Sequence, residues 1–370
     1  MPTLTKLNLT NFRNIRSASL NPGDNINLIY GKNGSGKTSL LEAISVLAHG
    51  RSFRTHKYRR LINHEHKDFT LHAQLQELVS RNLGINRHSS GDMTIRIDGR
   101  PAYTSAEMAE CLPLLVMNAA SFQLLEGASK VRRQFFDWLV FHVKHEFKTC
   151  WKDYAKCVKQ RNSLLRRDKI TLEELNPWDT EIVKLGLQIE GMRTEVFEVF
   201  SGAFYDYLGS FDFVEQDLSS ELEIYYMSGW KDSIDYKQQL EINFERDRQL
   251  GYTNIGSHKS DIRFQLGKIP AIEELSRGQQ KSLIISLYLA EANVFRTLKQ
   301  RNPVFLLDDL PAELDARNLE IVGRALAEMT SQVFVTTIEP DTLCSCWKLT
   351  SDNNLKMFHV EHGEISPMTA

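Results

Sequence analysis

The chain has 370 residues, 42% hydrophobic and 25% charged, with a net charge of −2, which is ordinary for a globular protein and enough for two structural units around a substantial core. Apolar runs such as 304–307 are far too short to span a bilayer, and the N-terminus has no apolar stretch of signal-peptide length, so neither a membrane span nor a signal peptide is expected. Five scattered cysteines, with Cys344 and Cys346 one residue apart, form neither a redox pair nor a zinc ribbon and are expected as reduced thiols of a cytoplasmic protein.

The chain opens on strand-like segments at 4–9 and 26–30. They lead into Gly31-Lys32-Asn33-Gly34-Ser35-Gly36-Lys37-Thr38 and a helix over 37–48. Strand, glycine-rich loop and helix are the context that a P-loop requires. Glycines let backbone N–H groups converge on phosphate oxygens, and Lys37 supplies a point charge to the β/γ-phosphates. Thr38 offers a hydroxyl to Mg²⁺, and the helix N-terminus adds its dipole. The loop thus names ATP and Mg²⁺ as its ligands, with Lys37 expected as an exposed ligand outside the core.

Arg51, Arg54, Lys57, Arg59 and Arg60, interleaved with Phe53 and Tyr58, suit a DNA backbone with stacked bases, or equally a nucleotide site so close to the P-loop. His56, His64, His66 and His72 lack metal-ligand spacing and read as surface residues. Segments 70–75 and 93–97 alternate as antiparallel strands do. Around Met117-Asn118-Ala119-Ala120, where a second magnesium contact belongs, no acidic residue occurs, and Gln123 is the weak candidate.

Residues 130–169 carry twelve Lys/Arg against four Asp/Glu, whereas 170–250 carry six against eighteen. This asymmetry hints at a side facing a polyanion. A helical pattern covers 130–167, with Lys144, Lys148, Lys152 and Lys156 every fourth residue along one face. They are DNA-backbone candidates, or simply a solvated face opposite the apolar side. A second helix is expected after Asn176-Pro177. Its apolar residues Trp178, Ile182, Leu185, Ile189, Met192, Val196 and Val199 follow heptad spacing, which suits a short antiparallel coiled-coil arm or ordinary helix packing. At roughly 35 residues per helix the arm would be about 50 Å long.

The α/β pattern returns from Tyr252. The expected organisation is an ATPase core over 1–125 and 252–370, with a helical arm over 126–251 inserted. Leu275-Ser276-Arg277-Gly278-Gln279-Gln280-Lys281 opens an apolar helix over 279–298. A hydroxyl, a close-approach glycine and a helix dipole suit a phosphate, although Ser276 is equally a helix cap. Strand 304–307 ends in Asp308 and Asp309. Such a strand places one carboxylate beside Mg²⁺ (Asp308), and the next can orient or deprotonate the attacking water (Asp309). Helix 318–329 and strand 333–337 follow.

The P-loop, the Asp308-Asp309 strand and the 275–281 segment resemble an ABC-type ATPase. The resemblance implies that Ser276, Gly278 and Gln279 complete a nucleotide site held by a second copy, and that Asp315, in Pro311-Ala312-Glu313-Leu314-Asp315, lies across the same interface. Four further features narrow it to the RecF family: Asn11-Phe12-Arg13-Asn14, Gly50-Arg51-Ser52-Phe53-Arg54-Thr55, Gly256-Ser257-His258-Lys259-Ser260-Asp261, and Arg277 in place of the first signature glycine. The similarity runs nearly end to end. It implies an α/β core like an SMC head, with a truncated coiled-coil arm. It also implies an ATP-dependent homodimer on single-stranded or gapped DNA, working with RecO and RecR to load RecA in replication, repair and the SOS response. Two departures point to slow turnover. Asp309 stands where many ABC ATPases carry Glu, and Thr336 and Thr337 occupy the region of the usual switch histidine.

Three other functions fit parts of the pattern. A P-loop kinase or nuclease would not need the 275–281 segment, and a transporter subunit would need a membrane partner. An architectural SMC-like protein would need a longer arm.

Overall fold

The computed structural model describes residues 3–77, 79–211, 221–231, 233–349 and 355–368. They divide into two compact units, 1–121 with 295–370, and 122–294. No helix among the described residues is long and apolar enough to cross a membrane.

The first unit is built from two six-stranded sheets. One is antiparallel throughout, in the spatial order Ile15–Leu20, Thr3–Phe12, Asp68–Gln76, Arg81–His88, Met93–Ile97, Arg100–Ala102. The other runs Glu364–Met368, Leu355–Glu361, Ile26–Tyr30, Val333–Thr337, Val304–Leu307, Leu114–Met117, and is parallel except for the hairpin at its Glu364–Met368 edge. Helix Lys37–His49 is buried on nearly every side. Its Leu40, Leu41, Ile44 and Leu47 share one core with Leu7, Leu71 and Leu83 of the antiparallel sheet and with Ile29, Leu306 and Phe334 of the parallel one. A helix with apolar residues on most of its faces belongs in such an interior, and its buried Glu42 is paired there.

The second unit combines helices Ser129–Val143, Phe147–Leu165 and Leu172–Leu208 with a small antiparallel sheet, Ile269–Pro270, Asp261–Leu266, Leu222–Met227. Its boundaries differ from the expected insertion, since 252–294 packs with the helices. The cause is pairing and ion contacts. Strand Asp261–Leu266 pairs with Leu222–Met227, and Arg132 holds Asp261 at 2.8 Å. Arg133 and Arg193 donate to the Ser260 and Ser257 carbonyls at 2.6 and 2.8 Å.

The two long helices form an antiparallel hairpin, but three features depart from the sequence expectation. The first helical stretch breaks at 144–146. Lys144 therefore lies in the break, ion-paired with Glu195, and only Lys152 and Lys156 of the lysine stripe are exposed on helix Phe147–Leu165. The second helix starts at Leu172, ahead of Pro177, because Thr171 and Glu174 cap it reciprocally. Pro177 is the sixth residue of that helix, so the bond an N–H there would make to the Glu173 carbonyl is lost, and the cap sets the helix start ahead of it.

The buried seam also differs. Ile182, Ile189 and Val196 are buried as expected, but Asp179, Gly186 and Arg193 occupy the alternate places, with Trp178, Leu185 and Met192 only half-buried and Val199 exposed. Arg193 pairs with Asp137 at 2.9 Å. Arg161 joins Asp179 and Asp247, each at 2.6 Å. At Gly186 a Cβ would stand 2.7 Å from the Tyr236 ring, so the close approach requires glycine. Gly191 and Gly202 have no such constraint, with no atom of the described residues within 4 Å of a Cβ position. Mid-helix glycine costs about 0.5–1 kcal/mol relative to alanine. Gly191→Ala and Gly202→Ala are each expected to raise the unfolding free energy by about that amount in urea titrations. A loss of stability would reveal a steric need for glycine.

Candidate nucleotide site

Three parallel strands lie side by side in the order Ile26–Tyr30, Val333–Thr337, Val304–Leu307, so their C-terminal ends open on one edge, where α/β sheets place ligands. From that edge come the P-loop, Thr336 with Thr337, and Asp308 with Asp309. Gly31, Gly34 and Gly36 take φ of 153°, 77° and 125°. At Gly31 a Cβ would stand 2.2 Å from the Val360 carbonyl oxygen, so only glycine fits there. Gly36 precedes the helix with no side-chain cap, leaving first-turn N–H groups for an anion. The Ser35 hydroxyl is buried in this loop without a partner among the described residues.

Lys37 departs from the expectation of an exposed ligand. It is only 6% exposed, and its ammonium donates to the Gly31 and Lys32 carbonyls at 2.8 and 3.2 Å. The charge is thereby held inside the loop, where a phosphate would meet it. Lys32, Asn33 and Gly34 are exposed at the loop crest.

Thr38 Oγ1 and Thr336 Oγ1 both donate to Asp308 Oδ1, at 3.0 and 2.9 Å, and the Asp309 N–H donates to Thr336 Oγ1 at 2.8 Å. Burial pushes the Asp308 carboxyl above its usual range. The Thr336 and Thr38 hydroxyls oppose that shift, Asp309 adds to it, and Arg54 opposes it. A partly desolvated carboxylate beside a hydroxyl is the hard oxygen donor set that Mg²⁺ takes with phosphate oxygens. Asp309 has a left-handed backbone, φ 56°, uncommon for a non-glycine residue and typical of functional sites. That twist sets it apart from the regular strand ending in Asp308.

The loop is braced from behind by segments 11–14 and 50–55, which are far apart in the chain. Asn14 Nδ2 donates to the Ser35 carbonyl at 3.0 Å, and Ser39 Oγ donates to Asn14 Oδ1 at 3.0 Å. Glu42, on the P-loop helix and 0% exposed, accepts from Arg13 Nε and Nη2 at 2.8 and 2.6 Å. It also accepts from Ser52 Oγ, and Arg54 lies 3.7 Å away. Segments 11–14 and 50–55 therefore meet on one buried carboxylate. Arg54 belongs with this nucleotide-side network although its side chain is 48% exposed, and Arg51 is exposed. A cleft of about 740 Å³ opens beside Asn14 and Ser39, lined also by Arg13, Arg16, Arg60 and His362. Its volume falls within the range of small-ligand pockets, but Arg13 pairs with Glu42 and Arg16 with Glu65, each at 2.6 Å.

Asp315 is exposed and caps helix Ala316–Met329, accepting from the Asn318 N–H at 2.8 Å. Ser276, Gly278, Gln279 and Gln123 belong to the second unit. Ser276 caps helix Arg277–Lys299 in a reciprocal box. The Gln279 N–H donates to its hydroxyl at 3.3 Å, and its own N–H donates to Gln279 Oε1 at 2.8 Å. Cap and phosphate ligand are compatible roles, because an accepting hydroxyl still has its own proton to donate. Gln123 is exposed at the start of helix Gln123–Glu126.

The model of the RecF/RecN/SMC N terminal domain matches residues 3–366. The DNA replication and repair protein RecF of Teredinibacter turnerae is 62% identical over 365 residues, 99% of this chain and 96% of that protein. The protein of the same name from Saccharophagus degradans is 49% identical, over 99% of each. Among solved structures, the recombination mediator protein RecF with ATP superposes with a TM-score of 0.85 at 22% identity, over 100% of this chain and 98% of that one. An SMC head bound to the C-winged helix domain of ScpA gives 0.60 at 16% identity, over 100% and 98%. The fold is thus that of ABC-type ATPase heads.

Proposed function

The chain belongs to the RecF family, a branch of the ABC-type ATPases, and from that premise we propose that it is an ATP-switched DNA-repair clamp. ATP closes two copies on single-stranded or gapped DNA, and slow hydrolysis releases them. RecR and RecO are its pathway partners, RecA is the protein they help to load, and the cytoplasm is its compartment. The observation that carries this reading is the meeting of Thr38, Thr336 and Asp308 at the mouth of the loop that holds Lys37. It is a phosphate cradle with a hard oxygen pair beside it.

In this reading the P-loop N–H groups and Lys37 bind the triphosphate. Thr38 and Asp308 would hold Mg²⁺, which neutralises charge on the phosphate oxygens when bound. Thr336 orients both aspartates, donating to the Asp308 carboxylate and accepting from the Asp309 N–H. Asp309 accepts a proton from the attacking water. Ser276, Gly278 and the N-terminus of their helix, from the second copy, contact the terminal phosphate, with Asp315 and Gln279 at the same interface. Exposed Lys152, Lys156, Arg51 and Arg54 are candidate contacts for a DNA backbone, where contacts are electrostatic and independent of sequence.

Sedimentation with and without ATP, and with gapped, single-stranded and duplex DNA, tests the proposal. The parent should dimerise only with ATP. Ser276→Arg should bind ATP yet stay monomeric, because a bulky cation displaces the phosphate contact. A dimer without ATP, or a mutant that dimerises normally, counts against the shared site. Asp309→Asn should retain Mg-ATP and accumulate the closed dimer, since removing hydrolysis removes the exit from the state that ligand favours. Hydrolysis at the parent rate would mean that another group positions the water.

A further inference from the structure

Arg277 stands between Ser276 and Gly278, at the first position of helix Arg277–Lys299. Helical side chains lean toward the N-terminus of their helix. A long side chain in the first turn therefore reaches past the helix end, toward whatever faces Ser276 and Gly278. The Arg277 side chain is 72% exposed. Its Nη1 donates to Glu126 Oε1 at 2.8 Å and to Gln280 Oε1 at 3.4 Å, and its guanidinium carbon is 5.9 Å from the centre of the Phe122 ring. Glu126 is itself 36% exposed.

An exposed ion pair of this kind contributes little, because water screens it and two long side chains must be held still. A guanidinium on phosphate is stronger, with a planar fork that matches two oxygens at once. The Glu126 contact is therefore readily exchanged for a triphosphate, whereas a copy without nucleotide lacks the phosphate oxygens that match the guanidinium fork.

We propose that Arg277 is a second cation for the triphosphate held by another copy of this chain, and that Glu126 parks it until that nucleotide arrives. The proposal rests on the shared-site reading above and adds a regulatory step to it. Closure becomes contingent on a bound triphosphate, because the residue that clamps it is otherwise engaged within its own subunit.

Sedimentation of the full chain in Mg-ATP tests this. Arg277→Ala should raise the dimer dissociation constant at least about tenfold, and Arg277→Lys should fall between it and the parent, since ammonium keeps the charge and loses the fork. Glu126→Gln should tighten the ATP-dependent dimer by up to about fivefold, the scale of a screened surface pair, with the ATP affinity of the monomer unchanged. In the double variant the Glu126 substitution should have no further effect, because it acts only through Arg277. If Arg277→Ala dimerises like the parent, or if Glu126→Gln weakens the dimer, the pair is a local staple and the proposal fails. A parent that stays monomeric in ATP instead defeats the shared-site reading. A parent that dimerises, with an Arg277→Ala variant that does too, defeats only this inference.

Discussion

Lys37→Ala is expected to weaken ATP binding by about ten- to a hundredfold, since the one ammonium N–H not held by the loop carbonyls loses a charge-assisted contact to phosphate at roughly 1.5–3 kcal/mol. The buried position of Lys37 adds a second effect. Its ammonium satisfies the Gly31 and Lys32 carbonyls, so truncation also leaves two backbone acceptors of the loop to water. A modest loss of stability, about 1–2 kcal/mol, should accompany the loss of affinity. Equilibrium nucleotide titration and chemical denaturation measure the two separately. Parent-like ATP affinity would remove the P-loop from the mechanism. Global unfolding would mean that Lys37 is chiefly a structural residue.

The largest stability effect is expected at Glu42. Its carboxylate is 0% exposed and bridges Arg13, Ser52 and Arg54. Removing one partner of a buried ion pair leaves the other charge uncompensated, at a cost of about 3–5 kcal/mol. Glu42→Ala should therefore lower the unfolding free energy by that amount in urea. Glu42→Gln should lose less, because it keeps the volume and an acceptor. Arg13→Ala with Glu42→Ala should be less damaging than the sum of the two, since the second change removes the charge that the first stranded. Strict additivity would mean that the two side chains act independently. Nucleotide affinity should fall as well, because Arg13 adjoins Asn14, which fixes the Ser35 carbonyl at 3.0 Å.

The inserted unit shows how a periodic sequence can be half understood. Ile182, Ile189 and Val196 lie in the seam of the hairpin as their seven-residue spacing requires, yet Asp179 and Arg193 fill the places expected of Trp178 and Met192. Apolar spacing identifies a helix face to within about one residue, and a charged side chain one position on is normally assigned to solvent. Here the charges are buried because Arg161, Asp247 and Asp137 neutralise them. No local pattern reports partners that distant in the chain. Lys144 leaves the face of Lys148, Lys152 and Lys156 for a related reason. A spacing of four places residues on one face only if the helix is unbroken, and the chain breaks at 144–146.

Strands Ile26–Tyr30, Val304–Leu307 and Val333–Thr337 and helix Lys37–His49 were legible from the residues alone, with the loop between the first strand and the helix, and with Asp308 and Asp309 after Val304–Leu307. Each rests on contiguous residues: an apolar run of strand length, a glycine spacing, a strand that ends in acid. Strand order, by contrast, is not written in any one segment. It is set by which apolar faces bury together, and here it puts Val333–Thr337 between the P-loop strand and the Asp308 strand. Thr336, noticed in the sequence only as standing near a missing histidine, thereby becomes the hydroxyl joining Asp308 to the Asp309 backbone. Glu42 follows the same logic. In the sequence it is an acid on an apolar helix, and it becomes a brace for the loop because folding brings Arg13 and Ser52 to it. Local chemistry chose the ligands of the site, and long-range packing chose the residues that hold them still, because a hydrogen bond between distant residues exists only once the chain between them has folded.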